Sequence, residues 1–86
     1  MNVDFTKAFD KQFQKLGSKR QARAREAVSL FLNDVAAPSL RVHSLKGEWA
    51  GHGSLSAGGD LRLHFRMIDE DTVLFVAVGT HSQLYK

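Results

Sequence analysis

GGDLRLHFRMIDEDTVLFVAVGT, residues 58–80, decides the fold. Leu61, Leu63, Phe65 and Met67 alternate with Arg62, His64, Arg66 and Ile68, and that period of two belongs to a strand with one apolar and one cationic face. Asp69-Glu70-Asp71 reads as a turn. Thr72–Val78 (TVLFVAV) is apolar on both faces and reads as a central strand. Gly58-Gly59-Asp60 supplies a hairpin turn, which makes Gly53–Ala57 the partner strand before it.

Toward the N-terminus the period changes. Phe5, Phe9, Phe13 and Leu16 recur at helical spacing, with Lys7, Lys11 and Lys15 on another face. Gly17 ends this run, and Ser18 caps a second helix from about Lys19 to Val35. Its stripe is Ala24, Ala27, Val28, Phe31, Leu32 and Val35, and Ala36-Ala37-Pro38 stops it. Residues 1–5 have a second reading as a short edge strand, because Val3 and Phe5 alternate with polar neighbours. The expectation is one α+β domain over residues 1–86, an N-terminal helical hairpin packed on an antiparallel sheet of three to four strands. The helices should cover the Leu61/Leu63/Phe65/Met67 face and leave the opposite face free for function.

With 43% hydrophobic and 24% charged residues the chain builds one core and is not a disordered segment. It has no cysteine, so disulfides, thiol catalysis and cysteine zinc sites are excluded, which fits a reducing cytoplasm. No apolar run approaches the roughly 18 residues that span a bilayer, and MNVDFTKAFDK lacks the apolar core of a secretory signal. The net charge of +3 is unevenly spread: residues 1–41 hold eight Lys/Arg against four Asp/Glu. RNA or an acidic protein is the natural counterpart.

Four histidines, His43, His52, His64 and His81, lie in the second half. Imidazoles titrate near neutrality and suit proton transfer, and Arg41, Lys46, Arg62 and Arg66 nearby suit a phosphate-bearing substrate. Arg62, His64 and Arg66 should project from one strand face about 7 Å apart. A solvated outer face is the plainer reading of that row, as structural hydrogen bonding is of each histidine alone. Trp49 reads as a core or loop anchor. The histidine spacings follow no metal-site pattern, and neither a nucleophile elbow nor a phosphate-binding loop is present.

HSLKGEWAG (43–51), GGDLRLHFRM (58–67) and VGTHSQLY (78–85) together resemble the RelE/ParE superfamily of bacterial type II toxins, in its YafQ-like branch of mRNA interferases. The resemblance runs over nearly the whole chain and implies a curved sheet behind the helical hairpin. It implies an endoribonuclease toxin that cuts mRNA in the ribosomal A site, needs no cofactor or metal, and is held inactive by a cognate acidic antitoxin. Residue by residue it assigns His43, Asp60, His81 and Tyr85 to catalysis and Lys46 and Arg66 to the RNA backbone. Arg62 and His64 join the RNA-binding set from the cationic strand face. The chain departs from the pattern at Ser56, where the branch carries a further histidine, and at Gly58-Gly59, where it carries a Glu-Pro-like turn. The rival implications are a ParE-like toxin that binds DNA gyrase without cutting RNA, and a degenerate toxin that retains only antitoxin binding.

Overall fold

The computed structural model describes residues 1–85. In chain order these form β1 (Asn2–Phe5), α1 (Lys7–Gln14), α2 (Ser18–Asn33), a 3₁₀ turn (Pro38–Leu40), β2 (His43–Ser44), a second 3₁₀ turn (Gly47–Trp49), β3 (Gly53–Ser56), β4 (Leu61–Asp69), β5 (Thr72–Thr80) and α3 (His81–Leu84). The sheet runs β1-β5-β4-β3-β2, with β1 parallel to β5 and every other pair antiparallel. The α+β class stands as expected, but the sheet has five strands rather than three or four. The additions are its short edges, β1 and the two-residue β2, where local patterning is weakest.

Phe5 belongs to β1 and not to the first helix, and it remains 41% exposed. Thr6 starts α1 instead: its Oγ1 accepts from Phe9 N–H at 3.0 Å and donates to the Val76 carbonyl at 3.2 Å. Gln12 then accepts the Val78 N–H at 2.9 Å. The two side chains occupy the edge of β5 that β1 leaves free beyond Phe75. Gly17 is the N-cap of α2, and Ser18 is its first residue. The Gly17 backbone is extended, so its carbonyl receives the Gln21 N–H at 3.0 Å and no side-chain cap forms.

Ala24, Ala27 and Phe31 of α2 and Phe9 of α1 are buried against Leu55, Leu61, Leu63, Phe65, Val73, Phe75 and Val78. Phe75 is the hub, with ring centroids of Phe5, Phe9, Phe31 and Phe65 between 5.8 and 6.1 Å from its own. Met67, which the alternation assigns to this covered face, is 43% exposed. β3 accompanies β4 only as far as Gly53↔Phe65, so the end of β4 overhangs the core. At that last pair a Cβ on residue 53 would stand 2.6 Å from the Phe65 ring, which requires glycine. The β3–β4 turn uses Gly58 and Gly59 at φ of +100° and +54°, which the left-handed region favours.

Candidate active site

The face opposite the helices is organised by register. His43 of β2 pairs with Ser54 of β3, Ser54 with His64 of β4, and His64 with Ala77 of β5. Directly opposed residues project to the same side of an antiparallel sheet, so His43, Ser54 and His64 form one row. The next row is Ser56, Arg62 and Gly79. Short α3 then turns back from the end of β5. Thr80 and Gln83 form a reciprocal capping box, and the Asp60 carbonyl accepts the His81 N–H at 2.8 Å. His81 and Tyr85 stack with ring centroids 4.3 Å apart.

His64 does not join an exposed cationic face. It is fully buried. Trp49 meets its ring edge-to-face at 4.5 Å, Tyr85 covers it at 5.2 Å, and Tyr85 Oη lies 3.2 Å from Nε2. Desolvation lowers its pKa from 6.5 to about 4, with further depression by the charges of His52, His43 and His81. His64 is therefore neutral at pH 7 and corrects the reading of it as a phosphate contact. Ring contacts connect the imidazoles: Trp49 packs on both His52 and His64, at 5.4 and 4.5 Å, Tyr85 on both His64 and His81, and His43 shares the His64 row.

The remaining positions sort themselves by what holds them. His43 is exposed, with Nδ1 3.0 Å from the Arg41 carbonyl. His43, His52 and exposed Arg66 line one shallow cleft between β2 and the overhanging end of β4. Arg62 is tied into its own hairpin, Nη1 donating to the Gly59 carbonyl at 2.8 Å, the Leu61 carbonyl at 3.1 Å and Ser56 Oγ at 3.3 Å. The alternation placed Arg62 correctly on the strand face, but its guanidinium braces the turn. Asp60 reaches the site through its backbone, while its exposed carboxylate stands 3.7 Å from Arg20 of α2. Lys46 is exposed on the loop after β2.

Two contributors carried little sequence signal. Trp49 serves as the anchor it was read to be, and also walls the site: besides packing on His64, its Nε1 donates to the Leu84 carbonyl at 3.3 Å and fastens the end of α3. Ser54 is fully buried, and Ser54 Oγ and His64 Nδ1 are the buried side-chain polar atoms without a partner among the described residues. Alternation along β3 against β4 would have placed Ser54 beside His64, but nothing local marks a serine as buried. Among the described residues no three His, Asp or Glu are arranged to hold a metal ion.

The helix pair, the mixed five-stranded sheet and the histidine-bearing face define a small α+β domain. The profile of the family described as "Bacterial toxin of type II toxin-antitoxin system, YafQ" matches residues 1–86, and the chain belongs to that family. Among solved structures, YafQ from E. coli strain BL21(DE3) is similar at TM-score 0.81 and 20% identity, covering 99% of this chain and 98% of that one. The E. coli DinJ–YafQ toxin–antitoxin complex matches at TM-score 0.78 and 21% identity, covering 99% of this chain and 97% of that one. A metal-bound toxin from Helicobacter pylori matches at TM-score 0.75 and 24% identity, covering 99% of each chain. No curated protein matches the sequence. The protein is thus a type II toxin.

Proposed function

We propose that this toxin is an endoribonuclease that cuts mRNA in the ribosomal A site by acid–base catalysis, using the substrate's own 2′-hydroxyl as nucleophile. The observation that carries this reading is the linkage of His43, His52 and His81 to His64 through strand register, Trp49 and Tyr85, with Arg66 in the same cleft as His43 and His52 and Tyr85 stacked on His81. One imidazole takes the 2′-hydroxyl proton as that oxygen attacks phosphorus. A second group gives a proton to the departing 5′-oxygen, leaving a 2′,3′-cyclic phosphate. His43 and His81, from opposite ends of the chain's second half, are the acid–base pair. Arg66 offers two parallel N–H donors to the phosphate oxygens, and Lys46 adds a cation at the rim. Tyr85 lends a ring for base stacking, and the Asp60 carbonyl orients His81.

The partner is a cognate acidic antitoxin. An apolar groove lined by Phe5, Phe9, Phe13, Val28 and Leu32 runs between the helices, with Arg25 over the Phe13 ring at 5.1 Å. The same two helices carry Lys7 and Lys11 on α1 and Lys19, Arg20, Arg23 and Arg25 on α2, with Arg25 lining the groove. An acidic segment that folds on binding fits that combination. Among the described residues no helix is long and apolar enough to cross a membrane, and we place the action in the cytoplasm.

Primer extension on a defined mRNA, with and without ribosomes, tests the reading. The expected result is ribosome-dependent cleavage that His43→Ala and His81→Ala suppress. Cleavage retained in the double variant would reject it, and DNA gyrase inhibition with mRNA intact would favour a non-nuclease toxin.

A further inference from the structure

The centre of the site holds a residue that none of the roles above uses. His64 is wholly buried and neutral, so its ring carries one hydrogen, on Nδ1 or on Nε2. Nδ1 has no partner among the described residues, whereas Nε2 is 3.2 Å from Tyr85 Oη. A hydrogen on Nδ1 would be a buried donor with nothing to receive it, the rarer and costlier kind of orphan. A hydrogen on Nε2 has an acceptor in the tyrosine oxygen, and it leaves an Nδ1 lone pair on the ring. Ser54, directly opposite on β3, carries the other unpartnered buried atom, and its Oγ makes no hydrogen bond to Nδ1.

We propose that His64 is a positioning residue: its ring, walled by Trp49, donates from Nε2–H to Tyr85 Oη, which fixes the tyrosine against His81 and leaves its own hydroxyl hydrogen free for a bound RNA. Tyr85 thereby becomes a proton donor for the leaving 5′-oxygen or a hydrogen-bond donor to the phosphate, beyond its stacking role. An imidazole with a proton on both nitrogens would serve as well geometrically, but burial opposes it first, and His52 on the β2–β3 loop, His43 on β2 and His81 on α3 add repulsion of a charge there. The inference rests on the nuclease reading for its effect on rate, but not for the hydrogen bond itself.

Two measurements test it separately. Nitrogen-15 NMR of the intact toxin reads the tautomer of His64 without any substrate. The expected spectrum shows the Nε2–H form, with the ring uncharged from pH 8 down to about 5; an Nδ1–H form, or a ring charged at neutrality, overturns the proposal. Ribosome-dependent cleavage then gives the consequence. Tyr85→Phe and His64→Leu should each lower kcat about 100-fold with KM little changed. The double variant should be no worse than either single one, because both remove the same hydroxyl function. His64→Gln, which keeps an N–H near the Nε2 position, should restore most of the rate. Losses that multiply in the double variant, or a folded His64→Gln as slow as His64→Leu, overturn it. Should the wild-type toxin leave mRNA intact, the nuclease reading fails, and the tautomer decides the role of His64 alone.

Discussion

The two faces of one sheet are built to opposite rules. Toward the helices, Phe31, Leu63, Phe65 and Phe75 interlock with no polar side chain among them. Away from the helices, strands β3 and β4 bury Ser54 and His64 and leave one polar atom on each unpartnered among the described residues, while His43, His52 and His81 come from β2, the following loop and α3. The first arrangement stabilises the domain and is indifferent to proton balance. The second costs stability, because a buried imidazole shut off from water is disfavoured wherever it would otherwise be charged. Function on this protein is therefore expected where packing is least favourable, and substitutions on the two faces should separate stability from activity.

The largest effect belongs to the helix-covered face. Phe75→Ala empties the hub of four aromatic contacts and should cost about 3–5 kcal/mol, enough to unfold most of a domain this small, read by urea denaturation. A loss below about 1 kcal/mol would show that the core closes around the hole. On the other face, His81→Ala should leave the urea midpoint in place while slowing cleavage about 100-fold or more, near 3 kcal/mol in the barrier. Substituting this exposed ring and seeing the fold collapse would erase the distinction between the faces.

His64 lies between these extremes. In the folded chain it takes up a proton near pH 4, and once unfolded near 6.5. Between those values the unfolded state binds more protons, so this group lowers stability as pH falls from about 6.5 toward 4 and has no such effect above 6.5. His64→Leu should abolish that part of the slope. At pH 7 it should be neutral to about 1 kcal/mol more stable, since it removes a buried polar group with an orphan nitrogen. Thermal melts of both proteins across this pH range check the sign; a slope that persists in His64→Leu would assign it to other groups. The smallest effect is at Arg20, whose ion pair with Asp60 is open to solvent on both sides. Arg20→Ala should change stability by no more than about 0.5 kcal/mol, and a larger loss would mean the pair anchors the hairpin that holds His81.

Much of this was legible in the chain because it rests on local periodicity. The alternation through Leu61–Met67 and the apolar run Thr72–Val78 identify the central antiparallel pair, and Gly58-Gly59 identifies its neighbouring turn. The second helix is readable from Ala24, Ala27 and Phe31. Phe5 misleads, since a spacing of four to Phe9 also arises when a strand residue precedes the helix and its ring folds back, here to 5.0 Å. His64 misleads for a different reason. Strand alternation tells which side a residue faces, not whether that side is wet, and here Trp49 and Tyr85 arrive from distant segments to cover it.

Residue order alone therefore determined the central antiparallel pair, the second helix and the concentration of imidazoles in the second half, since each depends on near neighbours along the chain. Only tertiary structure decided that Arg62 braces a turn, that Asp60 offers its carbonyl rather than its carboxylate, and that His64 is dry and neutral. Those outcomes depend on strand register and on which remote side chains displace water, and both are fixed only when β2, β3, β4 and α3 come together.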